Sequence, residues 1–278
     1  MSPATTHDLT FAGQTVTKRY RRWHDGEPRR EWDALTLMHR HAPDLVPAPL
    51  TRQLDADPPL IVMSRLPGEP VGTRTPATDV CLDAVAHALD TFHHAVPSAE
   101  LATRALRRWP AARILTEVRS WALETVGTPP DTPYPADARR ALAAGATWIT
   151  TSGVRRLEPS EPRRVFGRGD GNVANLLWDR ERVRLVDFED AGVSDEAFEL
   201  ADLAEHPSTW VDGAVDADKL LEKFTLIAYE RARIREYRRL FGLFWLLMLL
   251  PGNPASGRNP AGTLQRQVVR FSTLLGTC

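Results

Sequence analysis

The spacing of hydrophobic residues changes along the first quarter of the chain. Residues 14–20 alternate polar with β-branched or aromatic side chains, which predicts a strand that carries Lys18. Residues 29–39 repeat hydrophobic side chains at helical spacing, and residues 60–63 form an apolar run typical of a buried strand. We therefore predict two strands and one helix in this part of the chain.

The rest of the chain contains mainly helical patterns. Residues 80–94 have a helical repeat, and residues 106–149 contain two or more such repeats around a proline-rich break at 129–135. The most hydrophobic segment, residues 240–250, is about half the length that spans a bilayer, so we predict a core helix there. The predicted fold class is α+β, with helices dominating the C-terminal part.

A short hairpin is predicted between these helical regions. Residues 176–186 form two short apolar runs around a polar turn. Because a hairpin reverses the chain, Asn175 before the first strand and Asp187 after the second should lie side by side. Asp170 is in the loop that leads into the hairpin.

These three side chains suit metal-dependent phosphoryl transfer. The reaction needs one group to orient the attacking hydroxyl and oxygen ligands to hold Mg²⁺ on the phosphates. Asp170 can orient a hydroxyl, while Asn175 and Asp187 offer hard oxygen ligands. Each residue alone has an ordinary structural explanation, since Asp-Gly is a common turn and an aspartate can end a strand.

The same segment resembles the catalytic core of the aminoglycoside phosphotransferase family, which is related to the protein kinases. The motifs that match, in the family's order and spacing, are Gly169-Asp170, Asn175, Val186-Asp187-Phe188-Glu189 and Asp202-Leu203-Ala204. The resemblance implies that Asp170 is the catalytic base or positions the hydroxyl, and that Asn175 and Asp187 bind Mg²⁺. It also implies a bilobal protein-kinase-like fold, with a small antiparallel N-terminal sheet and a larger helical lobe.

Three further residues are expected to support the site by this resemblance. Glu189 belongs to the second motif and Asp202 to the third, although Asp202 has the equally open alternative of capping a helix or fixing a loop. Arg168 stands where the family has a histidine that braces the loop. We expect the arginine to brace the loop by hydrogen bonding.

The N-terminal part supplies the nucleotide-binding residues that the resemblance implies. In kinases a strand lysine pairs with a helix glutamate and is held against the phosphates of the nucleotide. Lys18 and Glu31 fit these two places. The alternative is that Lys18 belongs to a solvated basic face, because basic residues are frequent around it.

The strand at residues 60–63 and the Leu66-Pro67-Gly68 turn resemble the family's hinge between the lobes. We accordingly expect a nucleotide-binding lobe at residues 1–66 and a catalytic and substrate-binding lobe at residues 67–278. Three residues are expected to meet the adenine with their backbone: Met63, Ser64 and Arg65.

The small lobe is expected to be shortened. Protein kinases have two strands and a glycine-rich loop ahead of the lysine, whereas seventeen residues precede Lys18 here. The phosphate-covering loop is therefore either missing or reduced to a turn at residues 11–14.

Composition narrows the class of protein. The 278 residues have a formal net charge of −1, so no general attraction to nucleic acid is expected. Two cysteines, Cys81 and Cys278, predict no disulfide framework, and no N-terminal apolar run resembles a signal peptide. We expect a cytoplasmic protein without membrane contact, as a monomer or homodimer.

Acidic residues are concentrated after the hairpin. Residues 185–218 contain eleven acidic side chains and no lysine or arginine. They could attract a cationic acceptor such as an aminoglycoside. The alternative is that they cap and solvate helices.

Two functions from different classes follow. The first is a small-molecule kinase that transfers the γ-phosphate of ATP or GTP to a hydroxyl of an aminoglycoside-like or other antibiotic or metabolite, with choline, homoserine or a sugar as alternative acceptors. The second is a catalytically weak pseudokinase that binds a nucleotide or metabolite for regulation. The complete set of Asp170, Asn175 and Asp187 favours the first.

Overall fold

Four strands form the N-terminal sheet of the structure, a computed structural model that describes residues 7–73, 75–129, 133–151 and 163–276. The strands are β1 (His7–Ala12), β2 (Thr15–Tyr20), β3 (Pro49–Gln53) and β4 (Leu60–Ser64). They lie in the order β1-β2-β4-β3, and every neighbouring pair is antiparallel. In the described part of the chain, a single strand precedes the lysine-bearing β2.

Helix α1 (Glu27–His41) packs against β3 and β4. Its start carries a glutamate and Pro28, and its last turn carries three basic residues. This arrangement suits a helix, because proline fits the first turn and the helix dipole favours acids at the start and bases at the end. The buried face is apolar except for two acidic residues, Glu27 and Glu31.

The C-terminal part is mainly helical. Its helices are α2 (Asp79–His94), α3 (Ser98–Leu101), α4 (Ala111–Val126), α5 (Ala136–Thr151), α6 (Glu196–Glu205), α7 (Pro207–Trp210), α8 (Ala217–Glu222), α9 (Ala228–Met248) and α10 (Thr263–Leu275). Its strands are β5 (Glu69–Pro70), β6 (Arg164–Gly167), β7 (Leu176–Trp178), β8 (Val183–Leu185) and β9 (Gly192–Asp195). Strands β5, β7 and β8 form one small sheet, and β6 pairs with β9 in another.

Helix α9 lies at the centre of the helical core. It packs against α4, α5, α6 and α10. Its buried residues include Leu240, Phe241, Leu243 and Leu246. Residues 240–248 of the apolar segment predicted as a core helix are thus the second half of α9, and residues 249 and 250 follow its end. Among the described residues, no helix combines the length and the apolar character needed to cross a bilayer.

The α+β architecture with a small antiparallel sheet and a larger helical part is confirmed. The predicted hairpin at residues 176–186 consists of β7 and β8. Helices α4 and α5 flank the proline-rich break, of which residues 130–132 lie outside the described residues. Cys81 is buried and free, and Cys278 also lies outside the described residues. The division between the lobes after residue 66 stays a prediction.

Candidate active site

The loop between β6 and β7 orients Asp170 through its own atoms. Oδ1 of Asp170 accepts a hydrogen bond from the N–H of Asn172 at 3.0 Å, and Oδ2 accepts one from Nδ2 of Asn175 at 2.8 Å. A 3₁₀ turn at Val173–Asn175 then leads into β7. Both carboxylate oxygens are fixed by groups of the same loop, and the side chain stays half-buried rather than enclosed.

Asp187 follows β8 and lies beside Asn175, as the hairpin predicts. The N–H of Val186 donates to the carbonyl of Asn175 at 3.0 Å, and Oδ2 of Asp187 lies 3.5 Å from Nδ2 of Asn175. The backbone of Asp187 has a φ of 69°, in the left-handed region. Such a conformation costs a non-glycine residue on the order of 1 kcal/mol and occurs preferentially at functional sites.

Lys18 connects the two lobes at this point. Its Nζ lies 2.6 Å from Oε2 of Glu31, 2.5 Å from Oδ1 of Asp187 and 3.4 Å from Oε2 of Glu189. Lys18 is 3% exposed and Glu31 is 1% exposed, so the alternative of a solvated basic face is wrong for Lys18. The hydroxyl of Tyr20 also donates to Oε2 of Glu31, at 2.5 Å.

The charges of this cluster keep Lys18 protonated. Burial by itself would lower the pKa of Lys18, but Asp187, Glu31 and Glu189 outweigh it and raise that pKa. Burial by itself would raise the pKa of Asp187, whereas the Lys18 ammonium lowers it below its ordinary value. An ionised Asp187 is the form that a cation or a phosphate-bound metal requires.

His7 joins the cluster from β1 and has no counterpart in the motifs that point to the site. Its Nε2 lies 2.5 Å from Oε2 of Glu189, and its ring packs edge-on against Tyr20 at 4.9 Å between centroids. The side chain is buried. A single histidine at the start of a short strand gives no sequence signal, because only the pairing of β1 with β2 brings it opposite Tyr20.

A cavity of about 260 Å³ lies between the N-terminal sheet and the hairpin. Seven of the predicted site residues line it: Lys18, Glu31, Met63, Ser64, Arg65, Asn175 and Asp187. Asp170 lies outside this lining but contacts Asn175 directly. The predicted nucleotide-binding and metal-binding residues therefore share one cleft between the two lobes.

Two backbone N–H groups of the predicted hinge are already hydrogen-bonded within the protein. The N–H of Ser64 donates to the carbonyl of Ala48 at 2.9 Å, and the N–H of Arg65 donates to the carbonyl of Gln14 at 2.8 Å. A base that binds beside Met63, Ser64 or Arg65 would therefore meet carbonyl groups or side chains rather than these donors.

The turn at residues 11–14 lies at the hinge end of the cleft, away from Lys18, so the geometry does not favour the alternative in which it covers the phosphates. Gln14 contacts Arg65 and Thr15 pairs with Ser64, at the hinge end of the sheet. The Lys18 cluster lies further along β2. The direction of β1 explains the difference, because β1 runs from His7 at the cluster to the turn at the hinge.

Two arginines brace the loop that carries Asp170. Arg168, predicted to do so, is 3% exposed, and its Nη1 donates to the carbonyl of Asn172 at 3.3 Å. Arg107, which the sequence motifs do not indicate, donates from Nη2 to the carbonyl of Gly169 at 2.7 Å. Burial lowers the pKa of Arg168, although the neighbouring Asp170 favours its charged form.

Two carboxylates of α6 complete this brace. Oε2 of Glu199 accepts from the N–H of Gly169 at 3.3 Å, and Oε1 lies 2.6 Å from Nη1 of Arg107. Asp202 reaches the loop through Arg107, at 2.9 Å from Nη2. Burial raises the pKa of Asp202 to about 7 even though Arg107 opposes the shift. The direct hydrogen bond to the loop thus comes from Glu199, three residues before the predicted Asp202, while Asp202 packs against Gly171 of the loop.

Gly169 is required by the closeness of this packing. Its φ is +83°, and a Cβ added there would lie 2.1 Å from the carbonyl oxygen of Asp190. A larger residue would push the loop away from the segment that follows Asp187.

Arginines from other segments neutralise most of the acidic stretch at residues 185–218. Seven of its eleven acidic side chains form ion pairs with arginine: Asp190, Asp195, Glu196, Glu199, Asp202, Glu205 and Asp218. Glu205 is fully buried between Arg238 and Arg270. The structural alternative, in which these carboxylates serve the fold, is therefore favoured for most of them.

The oxygen donors at the cleft fit a hard cation such as Mg²⁺. Nδ2 of Asn175 donates to Asp170, so the amide oxygen of Asn175 is left for a cation. Oδ1 of Asp187 is the oxygen that contacts Lys18. Carboxylate and amide oxygens are the donors that Mg²⁺ prefers. Ligand atoms of His7, Asp187 and Glu189 also lie within 4.8 Å of one another. The imidazole of His7 is the one donor of this group that Mg²⁺ does not favour.

The fold and the cleft define a two-lobed protein of the kinase-like class. A sequence profile described as the phosphotransferase enzyme family matches residues 6–237. The chain belongs to this family of phosphotransferases. The predicted enzyme class, a phosphotransferase with an alcohol group as acceptor, is confirmed. A search among curated protein sequences finds no match.

Solved structures share the fold. A choline/ethanolamine kinase family protein from Mesorhizobium loti superposes with a TM-score of 0.65 at 16% identity, covering 99% of this chain and 90% of that one. A choline kinase from Streptococcus pneumoniae gives 0.63 at 15% identity, with 100% and 92% covered. Spectinomycin phosphotransferase, solved with ADP and spectinomycin, gives 0.62 at 13% identity, with 100% and 90% covered. At these identities the likeness shows the fold alone.

Proposed function

We propose that this protein transfers the γ-phosphate of ATP or GTP to a hydroxyl group of a small molecule, an aminoglycoside-like antibiotic or another antibiotic or metabolite. The observation that carries the proposal is the position of Lys18, whose ammonium contacts both Glu31 and Asp187, 13 and 169 residues away. That contact unites the expected phosphate-binding pair with the expected metal ligand. Asp170 and Asn175 adjoin it.

Asp170 is proposed to orient the acceptor hydroxyl and to accept its proton. The carboxylate is half-buried next to the cleft, and its two hydrogen bonds fix its direction before any substrate arrives. Such preorganisation lowers the barrier, because the enzyme does not have to reorder the group during the reaction. Arg168 and Arg107 are proposed to keep the loop in place.

Asn175 and Asp187 are proposed to hold Mg²⁺, with Glu189 as a supporting acidic group. The bound ion would neutralise charge on the phosphates of the nucleotide. Lys18 is proposed to bind the α- and β-phosphates, and Glu31 to fix the direction of Lys18. Asp202 is proposed to act on the loop through Arg107.

The small lobe is proposed to end at residue 66 and the catalytic lobe to begin at residue 67. Support comes from β5, which directly follows residues 66–68 and pairs with β7 of the hairpin. The backbone of Met63, Ser64 and Arg65 is proposed to line the base of the nucleotide, since these residues line the cavity that also contains Lys18.

The acceptor stays a choice among several hydroxyl compounds. Aminoglycosides, choline, homoserine and sugars are all compatible with the site, and structural neighbours include both choline kinases and aminoglycoside phosphotransferases. A cationic acceptor is not favoured by the acidic stretch, because arginines neutralise most of it. A cytoplasmic location, where nucleotide is abundant and Cys81 stays reduced, and a monomeric or homodimeric state remain predictions.

The test is a nucleotide-consumption assay with Mg²⁺ across a panel of aminoglycosides, other antibiotics, choline, homoserine and sugars. We expect one acceptor class to stimulate turnover of the native protein and Asp170→Ala to abolish that stimulation. Asp179→Ala is the matched control, because Asp179 is another aspartate in a turn, and its carboxylate accepts backbone N–H groups of the turn between β7 and β8. The proposal fails if no acceptor stimulates turnover and no nucleotide raises the melting temperature.

A pseudokinase is the second candidate, favoured by the arginine at position 168. It predicts that nucleotide raises the melting temperature while no acceptor stimulates turnover. Arg168→His would then be the informative variant, since it restores the residue that relatives have at this place.

A further inference from the structure

Helix α1, which carries Glu31, is held at both ends by one segment of the helical lobe, residues 100–108. The segment begins within α3 and ends just before α4. It contacts the start of α1 through Arg108 and the end of α1 through Glu100. The two contacts lie about four helical turns apart along α1.

Arg108 links the start of α1 to Asp190, which follows the expected metal ligand Asp187. Its Nη2 lies 3.1 Å from Oε1 of Glu27 and also contacts the carboxylate of Asp25, while its Nη1 lies 3.3 Å from Oδ1 of Asp190. Its own N–H donates to the carbonyl of Asp190 at 3.1 Å. Glu27 is buried, which strengthens the pair relative to one in water.

Glu100 binds the end of α1. Its Oε2 lies 2.8 Å from Nε2 of His41, and its Oε1 lies 3.2 Å from Nη1 of Arg40. Arg104 of the same segment also contacts Glu100. The carboxylate therefore joins two basic side chains of the small lobe to one of the large lobe.

The signs of these charges follow the dipole of α1. The start of the helix carries acids and meets an arginine, and its end carries bases and meets a glutamate. The partners have charges of opposite sign at the two ends of α1. A helix that slid along its axis, or that ran in the reverse direction, would therefore lose both contacts. A third contact lies between them, where Nη1 of Arg30 donates to the carbonyl of Glu189 at 2.9 Å.

We propose that Arg108 and Glu100 are positioning residues for phosphoryl transfer. By fixing both ends of α1 they fix Glu31, which fixes Lys18 against Asp187. This inference rests on the proposed function for its catalytic part, whereas the placement of α1 can be measured without turnover. Neither residue touches the expected nucleotide cleft, since neither lines its cavity.

The test compares Arg108→Gln, Glu100→Gln and the double variant with native protein. Arg113→Gln is the matched control, because Arg113 is a nearby exposed arginine whose acidic partner, Glu117, belongs to its own helix α4. We expect each single variant to raise the KM for nucleotide about fivefold and the double variant more, with a smaller fall in kcat. Arg108→Lys should recover part of the loss at Arg108.

Hydrogen exchange of the α1 amides separates this inference from the proposed function. We expect faster exchange in α1 for the two single variants and unchanged exchange for Arg113→Gln. Unchanged exchange in α1, or an unchanged KM in the double variant, overturns the inference. If the native protein consumes no nucleotide, the proposed function fails, and exchange together with the affinity for Mg²⁺-ADP decides the role of the two residues.

Discussion

The loop that carries Asp170 and the Lys18 cluster adjoin the same cleft, but their key side chains are held in opposite ways. The partners of Asp170 are Asn172 and Asn175, two and five residues away. The partners of Lys18 include Asp187 and Glu189, 169 and 171 residues away. The carboxylate of Asp170 is therefore oriented by its own loop, although Arg107 and Glu199 hold that loop at Gly169. The cluster, in contrast, exists only when the two lobes pack together.

This difference predicts different responses to substitution. Removing a group from the loop should mainly change the chemistry, because the rest of the loop keeps its bonds. Removing a charge from the cluster should also change stability, because buried carboxylates lose their partner. The following substitutions test that contrast.

The largest effect is expected for Asp170→Ala. Turnover should fall by roughly 10³-fold, the range expected for a lost acid–base group, while the free energy of unfolding changes by no more than about 1 kcal/mol. Steady-state kinetics and urea unfolding measure the two quantities. A large loss of stability would show that the loop needs the Asp170 side chain to keep its structure. The control, Asp179→Ala, should leave turnover near the native value.

The next effect is expected for Lys18→Met. The change leaves Glu31 buried opposite Asp187 without a cation and should lower the free energy of unfolding by roughly 3 kcal/mol. Arg19→Met is the control on the same strand, since Arg19 is exposed. Adding Glu31→Gln should cost less than the sum of the single changes, because the two residues are in direct contact. If the losses in the free energy of unfolding simply add in urea unfolding, Lys18 and Glu31 do not interact, which would contradict the prediction.

A smaller effect is expected for Glu199→Gln, which removes the charge beside Arg107 and weakens the bond to Gly169. We expect a loss of about 2 kcal/mol in the free energy of unfolding, as for a hydrogen bond to a buried charge. Asp202→Asn should cost less, because burial already raises the pKa of Asp202 to about 7 and favours its neutral form. Equal losses in the free energy of unfolding from the two changes would show that both carboxylates hold the loop equally.

The smallest change, when counted for each pH unit, is expected at His206, which follows α6. Burial lowers the pKa of His206 from 6.5 to about 4, and its Nδ1 accepts the N–H of Ser208 at 3.1 Å. Because the unfolded chain takes up the proton first, His206 contributes stability above pH 6.5 that is lost as the pH falls toward 4. The slope should be no more than about 1.4 kcal/mol for each pH unit. His206→Asn should flatten this slope in unfolding measured from pH 7 to pH 4.

The same contrast explains what the sequence could predict. Asp170, Asn175 and Asp187 were predictable because a short hairpin fixes their mutual positions locally. Lys18 and Glu31 could be proposed through the resemblance, and their burial could not be derived from spacing. His7, Arg107 and Arg108 gave no signal, because sheet pairing and lobe packing bring them to the site.

Glu199 and the turn at residues 11–14 show two ways in which a local pattern is insufficient. Glu199 lies three residues before Asp202 on the same helix and therefore shares its face, so a search for acids at helical spacing could have found it. The place of the turn depends on the direction of β1, which alternation of side chains does not encode.

The occupied N–H groups of Ser64 and Arg65 have a consequence for the choice of purine. Adenine carries an amino donor at C6, whereas guanine carries an oxygen acceptor there. A hinge whose N–H groups already bind Ala48 and Gln14 offers acceptors more readily than donors, so it should accommodate the adenine edge better. We expect a lower KM for ATP than for GTP, and equal values would show that the base does not use this edge of the cleft.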